Sequence, residues 1–310
     1  MFSFQELEDT AKELFLARLG EEVSAIDPIV GVGSVNQVVR VMTHRGAYIL
    51  RMNEGTKAQE YAKEAWCVEA VRAVGIPCPN IIHSGSENDY VYQIQEDIRG
   101  VNVSKLPPGA QLLSWYNCGK YVARFTRVPA RGFGDQLENF ATGQFSDRWS
   151  RYLTYNLGAL STRHDSLLDQ GHMTMTQYDQ LRRLLEGVAK MEVTIGLVHG
   201  DLHGRNFIQH YHRTYLLDWG MAELHVYPHV DLARLLAPGL AEVPPLAFTA
   251  FRKGLGMSER QLLKILPDIK QIHLLKTLDT YRWAFDHQAT VPISRYVTAL
   301  SRALAWAEKP

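Results

Sequence analysis

An aspartate at 201, an asparagine five positions later at 206 and a second aspartate at 218 stand in two short stretches, HGDLHGRNF (199–207) and YLLDWG (215–220). A carboxylate, an amide and a second carboxylate in this arrangement are the minimum set for one chemistry, phosphoryl transfer from a nucleotide. One carboxylate orients an attacking hydroxyl or accepts its proton, while the amide and the other carboxylate hold Mg²⁺. Such a set works only if other elements supply phosphate contacts, a nucleotide seat and a brace for the loop.

The N-terminal third has parts of that kind. Apolar residues Phe4, Leu7, Ala11, Leu14 and Phe15 recur on one helical stripe, and the helix can run to Leu19, where Gly20 caps it. The period then changes to β-branched runs, predicting strands near 28–32, 35–43 and 47–52 with a turn at His44-Arg45-Gly46. Gly31, Gly33 and Ser34 fall in the first turn, where backbone without a Cβ can approach phosphate oxygens. No GK[ST] follows, so this is not a Walker A loop. A helix is predicted over 57–74, with Tyr61, Ala65, Val68 and Val71 as its stripe and Glu64 beside it, turned toward the sheet. Arg51, at the end of the third strand, is the cation for Glu64; the pair would hold α- and β-phosphate oxygens through a rigid guanidinium fork. A hairpin follows over 80–95, and EDIRG (96–100) breaks it as a hinge. Gln95, Glu96 and Ile98 are the candidates for an adenine edge there. The domain boundary is drawn here, giving residues 1–99 as a nucleotide-binding lobe with a docking helix and 100–310 as a helical lobe.

Beyond the hinge the pattern is mainly helical. Helical segments are predicted over 107–127, 147–168 and 174–194, with an ordered Gly- and Phe-rich loop at 129–146. Asp135, Glu138, Asp147 and Asp165, interleaved with Tyr152 and Tyr155, form either solvated surface or one wall of a polyol or amine site. Two short strands (207–210 and 214–219), a loop at 221–230 and a buried helix from Val230 follow. Asp231 is placed to cap that helix or to tie down catalytic-loop N–H groups. His199, His203, His210 and His212 invite a zinc reading, but the HxxxH of 199–203 crosses a glycine and an aspartate in a probable loop with no Cys close in sequence, and His199 is better read as a buried residue shaping its loop. The C-terminal stretch predicts two helices on either side of Pro267 and a last one over 293–309, with Tyr281, Trp283, Phe285 and Trp306 in the core.

The bulk numbers narrow the partners. The 33 basic and 33 acidic residues cancel, which argues against a nucleic-acid backbone as main partner. With 46% hydrophobic and 21% charged residues the chain reads as folded. It has no 18-residue apolar run and an acidic N-terminus, so no membrane association and a cytoplasmic location are expected. Cys67, Cys78 and Cys118 have no metal spacing, and their odd number argues against a disulfide framework.

In order, the glycine turn, the strand-three cation, the helical Glu, the hinge, HGDLHGRN and DWG resemble the aminoglycoside phosphotransferase family of small-molecule kinases, over about residues 25–240. YILRMNEG, GIPCPNIIHSG, SKLP and GFG are most similar to the hygromycin phosphotransferase-like branch. The resemblance implies an α+β, protein-kinase-like two-lobe fold: a small antiparallel sheet with one main helix, then a larger helical lobe. It implies Asp201 as catalytic aspartate, Asn206 and Asp218 as Mg²⁺ ligands, and Asp231 as the brace of the catalytic loop. Arg51 takes the place of the ATP-phosphate lysine, partnered by Glu64. HGRN replaces the common HPGN, which puts Arg205 in the loop, either facing transferred phosphate or facing solvent. ATP is the expected nucleotide, with no residue speaking against GTP. The acceptor is expected to be a hydroxyl of an aminoglycoside or aminocyclitol, with antibiotic resistance as its consequence, or of a metabolite such as choline, homoserine or a sugar. A catalytically silent interaction module is the reading from another class, opposed by the intact Asp–Asn–Asp set. The protein is expected to be a monomer or homodimer.

Overall fold

A computed structural model of the chain describes residues 3–29, 37–87, 89–162, 165–241 and 243–309. The first part runs α1 (Phe4–Leu19), β1 (Val23–Pro28), β2 (Gln37–Thr43), β3 (Ala47–Glu54), α2 (Ala58–Ala73), β4 (Ile81–Glu87), β5 (Tyr90–Glu96) and β6 (Val101–Asn102). Then come α3 (Leu112–Val122), β7 (Phe133–Asn139), β8 (Gln144–Asp147), α4 (Trp149–Thr162), α5 (Ser166–Asp169) and α6 (Met175–Leu185). Next are β9 (Thr194–Val198), β10 (Phe207–His210), β11 (Arg213–Leu216) and β12 (Glu223–Tyr227). Four helices close the chain: α7 (His229–Leu236), α8 (Pro245–Gly254), α9 (Glu259–Asp286) and α10 (Ile293–Glu308). The fold is α+β. The chain divides into one unit of Met1–Leu106 with Arg205–Gly220 and another of Pro107–Gly204 with Met221–Pro310.

In the first unit the five-stranded sheet has the order β1-β2-β3-β5-β4, antiparallel throughout. Strand alternation gives it two working faces. Leu50, Met52, Tyr92 and Ile94 pack with Leu7, Ala11, Leu14 and Phe15 of α1. The opposite face carries Arg51 and Gln93, which are register partners, toward α2. Helix α1 starts at a capping box between Ser3 and Glu6 and ends at Gly20, whose φ of 66° is the left-handed cap. A three-stranded sheet, β11-β10-β6, completes this unit.

The second unit is built on a four-stranded sheet, β8-β7-β12-β9, and on helices whose core joins Tyr178, Leu181 and Leu185 of α6 to Ile272, Leu275 and Leu278 of α9 and Leu300 and Leu304 of α10. Three of its strands replace predicted loops. The Gly- and Phe-rich stretch is the β7–β8 hairpin, hidden because its register shifts twice and interrupts the alternation of Phe133, Leu137 and Phe145. Gly132, at φ 100°, could not be replaced there, since a Cβ would lie 2.2 Å from Phe145 O. The stretch 221–230 holds β12, buried on both faces, so it lacks the apolar-polar alternation of a half-exposed strand.

Helical boundaries also shift. The helix predicted over 147–168 breaks, because Asp165 turns its carboxylate onto Leu167 N at 3.0 Å and starts α5. Helix α6 stops at Leu185, short of 194, and the β-branched run that follows enters β9. The two helices predicted around Pro267 are one, α9. An interior proline loses the bond to the carbonyl of residue 263 and crowds it, at a cost of about 3 kcal/mol, which the burial of Ile272, Leu274, Leu275 and Leu278 along the same helix offsets. Tyr281 and Trp306 are core, and Phe285 is half-buried, but Trp283 is 52% exposed, contrary to expectation. A strand lies at Val23–Pro28, and most of the one predicted near 28–32 falls outside the described residues. All three cysteines are buried and free. Among the described residues no helix is long and apolar enough to cross a membrane.

Candidate active site

In the first unit, β3 and α2 bring a cation and two carboxylates together. Arg51 Nη1 pairs with Glu64 Oε1, and Nη2 lies 3.7 Å from Asp218 Oδ1. The guanidinium also sits over the Tyr61 ring, 5.7 Å from its centroid. Burial works against the charge on Arg51, but Glu64 and then Asp218 outweigh it and hold the guanidinium protonated. Lys63, the neighbour of Glu64, donates to Gly220 O at 2.9 Å, so α2 holds the DWG turn directly through Lys63 and through Arg51 by way of Glu64. Asp218 adopts φ 59°, a left-handed conformation uncommon outside glycine, and its side chain is 50% exposed. Asn206, buried, is coupled to this turn through its carbonyl, which accepts from Leu217 N at 2.9 Å.

Of the adenine-edge candidates, Gln95 is buried and donates to Gln93 Oε1, which leaves it inside the sheet's own network. Glu96 is exposed, with Oε2 accepting from Asn80 N at 3.2 Å, and Ile98 is buried. Gly31, Gly33 and Ser34 lie outside the described residues. Arg205 has an exposed side chain, while its carbonyl accepts from Asn102 Nδ2 at 2.6 Å.

In the second unit the loop after β9 is fixed from below. Asp231, fully buried on α7, accepts His199 N on Oδ2 at 3.2 Å and Gly200 N on Oδ1 at 3.0 Å. It is the tie its position suggested. Burial pushes Asp231 up to about 7 against the pull of those two N–H donors. Gly200, at φ 76°, leaves no room for a Cβ, which would lie 2.4 Å from Met221 O. His199, fully buried, accepts Asp201 N on Nδ1 at 3.3 Å.

Both oxygens of Asp201 are then held. Arg234 Nη2 lies 2.6 Å from Oδ1, and His203 Nε2 lies 3.2 Å from Oδ2. Burial alone would raise the pKa of Asp201, but the His203 hydrogen bond and the charge of Arg234 hold it down to about 2. Sequence reasoning missed Arg234 and Lys63. The signal for Arg234 was its place three residues after Asp231, one helical turn along the same face.

The set of Asn206 and Asp218 offers an amide and a carboxylate oxygen, hard donors that suit Mg²⁺, which takes few protein ligands and completes its shell with phosphate and water. Among the described residues no group of three or more His, Cys, Asp or Glu is placed to hold a metal on its own.

The chain matches the family model of the phosphotransferase enzyme family, APH, over residues 29–266. A search of curated protein sequences returned no match. Among solved structures it is similar to a thermostable mutant of aminoglycoside phosphotransferase APH(4)-Ia in ternary complex with ADP and hygromycin B. The TM-score is 0.70 at 15% identity, covering 97% of this chain and 100% of that one. It is similar to spectinomycin phosphotransferase APH(9)-Ia in complex with ADP and spectinomycin, with TM-score 0.60 at 12% identity, covering 96% and 97%. A third is a Haemophilus somnus 129PT protein assigned as a fructosamine-3-kinase, with TM-score 0.62 at 11% identity, covering 96% and 97%. These likenesses give the fold, that of the protein-kinase-like aminoglycoside phosphotransferases. The family match covers more than three-quarters of the chain, and the chain therefore belongs to the phosphotransferase enzyme family and is a small-molecule kinase.

Proposed function

We propose that the chain transfers the γ-phosphoryl group of ATP to a hydroxyl of a small polar molecule, with Mg²⁺ held by Asn206 and Asp218. The observation that carries this reading is Asp201, an ionised carboxylate whose two oxygens are oriented by Arg234 and His203 on a loop braced by Asp231. A carboxylate with a pKa of about 2 is a weak base. Its work is to orient the attacking hydroxyl and to take the proton late, as suits a loose transition state with little bond formation to the nucleophile. Arg51, kept rigid by Glu64, serves phosphate oxygens, and Gly31, Gly33 and Ser34 offer backbone N–H groups to them. Gln95, Glu96 and Ile98 border the base, Glu96 and Ile98 through backbone groups. Bound Mg²⁺ would neutralise charge on the phosphoryl oxygens.

Residues 1–99 act in this account as the nucleotide-binding lobe and 100–310 as the acceptor lobe. An aminoglycoside or aminocyclitol is the favoured acceptor class, supported by the hygromycin B and spectinomycin complexes of the similar proteins. A sugar-derived metabolite is the second, supported by the likeness to the fructosamine-3-kinase. Coupled ADP release by purified protein with Mg²⁺-ATP, against aminoglycosides, aminocyclitols, choline, homoserine and sugars, tests the reading. Acceptor-dependent release with at least one of them is expected. Nucleotide binding without turnover on any would favour a silent module.

A further inference from the structure

Four elements of the second unit, β7, β12, α4 and α9, bring together polar groups other than the phosphoryl-transfer residues. Strand β12 pairs with β7 antiparallel at Leu224 and Gly134, which sets Asp135 across from Glu223 and Phe133 across from His225. The ring centroids of Phe133 and His225, 4.7 Å apart, agree with that register. Helix α4 presents Trp149, Tyr152 and Asn156, and α9 presents Lys276, Asp279 and Trp283, each set spaced three then four residues along one helical face.

Contacts join them. Lys276 Nζ pairs with Glu223 Oε1, and Asn156 Nδ2 donates to Asp279 Oδ1 at 2.8 Å. Tyr152 lies 5.4 Å from His225, ring centroid to ring centroid, and Trp149 stacks on Tyr152 at 5.7 Å. The charge of Asp135 is felt at both Lys276 and Asp279. Exposure is graded: Glu223, Tyr152, Asn156 and His225 are buried, Lys276, Asp279 and Trp149 are half-buried, and Asp135 and Trp283 are exposed.

The buried floor is incompletely satisfied. Tyr152 Oη, Asn156 Oδ1 and His225 Nε2 have no hydrogen-bond partner among the described residues, although each side chain is more than nine-tenths buried. Unpaired buried polar atoms are costly, and they cluster where a ligand or water completes them. The cluster is also continuous with the loop of Asp201. Glu223 is the register partner of Val198, three residues before Asp201, and the charges of Lys276 and Arg234 are both felt at His273.

Resting on the reading of the chain as a small-molecule kinase, we propose that this cluster is the acceptor-recognition site, taking a polyhydroxylated molecule with one or two amines, and that Lys276 is the residue that limits the acceptor's charge. Asp135, Glu223 and Asp279 supply three carboxylates, and Lys276 cancels one. The remainder suits an amine or a pair of them, with hydroxyls for the floor and Trp149 and Trp283 as aromatic faces for a sugar ring. A polycation would have to set a further ammonium beside Lys276.

Calorimetry on the full chain without nucleotide tests this with three probes: sorbitol, which is neutral, the diaminocyclitol deoxystreptamine, and the polyamine neomycin. The wild type should bind deoxystreptamine at least about tenfold more tightly than either of the others. Asp279→Asn, which leaves the Lys276–Glu223 pair in place, should weaken deoxystreptamine about tenfold and leave sorbitol unchanged, while Lys276→Gln should tighten neomycin about tenfold. Neomycin as the tightest wild-type ligand, or affinities that neither substitution changes, would overturn the proposal. ADP release without this selectivity counts against the acceptor site alone, and this selectivity without ADP release counts against the kinase reading alone.

Discussion

At the scale of residues, the account rests on side chains whose state is set by their neighbours. Asp201 has its pKa depressed to about 2, so it is ionised throughout the working range. Its contribution to folding is present above its unfolded pKa and is lost as pH falls through about 4 to 2. Asp231 behaves oppositely. Raised to about 7, it favours the folded state most below its unfolded pKa, and that contribution fades as pH rises through 7. The difference in Tm between wild type and Asp231→Asn should therefore shrink from pH 5 to pH 8 (about one to two units either side of the Asp231 pKa), followed by differential scanning calorimetry; a difference that widens would contradict the assignment. Asp218 belongs to the same scale. Asp218→Ala should weaken Mg²⁺-dependent nucleotide binding about tenfold or more, read by calorimetry with and without Mg²⁺, since a metal held by few protein ligands loses much with one. The candidate residues Asp201, Asn206, Asp218, Arg51 and Glu64 were legible because their types are demanded by one chemistry. Arg234 was not, because an arginine on a helix announces nothing until the fold shows what it faces.

At the scale of elements, the Arg51–Glu64 pair is the joint between β3 and α2, with side chains 11% and 3% exposed. Arg51→Ala strands a buried carboxylate and should destabilise by about 3–5 kcal/mol, and a companion Glu64→Gln should recover part of that. Urea unfolding of the single and double variants measures it, and an additive pair would show that the two side chains do not depend on each other. Leu275→Ala, in the α9 core, should cost about 2–5 kcal/mol through the cavity it leaves. Elements with an unbroken period were readable in advance: α1 to its Gly20 cap, α2 with Glu64 turned to the sheet, and α10. Those that were not had a physical reason. Bulges erased the alternation in β7, burial on both faces removed it from β12, and packing carried α9 through Pro267.

At the scale of the whole molecule, a zero formal charge and membership of the phosphotransferase family leave a small acceptor and a nucleotide as the ligands to be sought. Mg²⁺-ATP at about one hundred times its Kd should add about 2.7 kcal/mol to stability, visible as a rise in Tm that a chelator reduces. The first unit's leading segment runs to Leu106, and a change from β to helical patterning near residue 100 was visible. That Arg205–Gly220 belongs with the first unit was not, because no local pattern tells a returning segment where to pack. The acceptor's chemistry was least legible, since Asp135 and Tyr152 read equally as solvated surface or as one wall of a site, and Lys276 and Asp279, which the proposal joins to them, lie more than a hundred residues away in sequence. The central claim is that Asp201 directs the acceptor hydroxyl in phosphoryl transfer, and Asp201→Asn tests it most directly. Acceptor-dependent ADP release should fall by roughly 10²–10⁴-fold while Mg²⁺-ATP affinity by calorimetry stays near wild type. Turnover within a few-fold of wild type would contradict it.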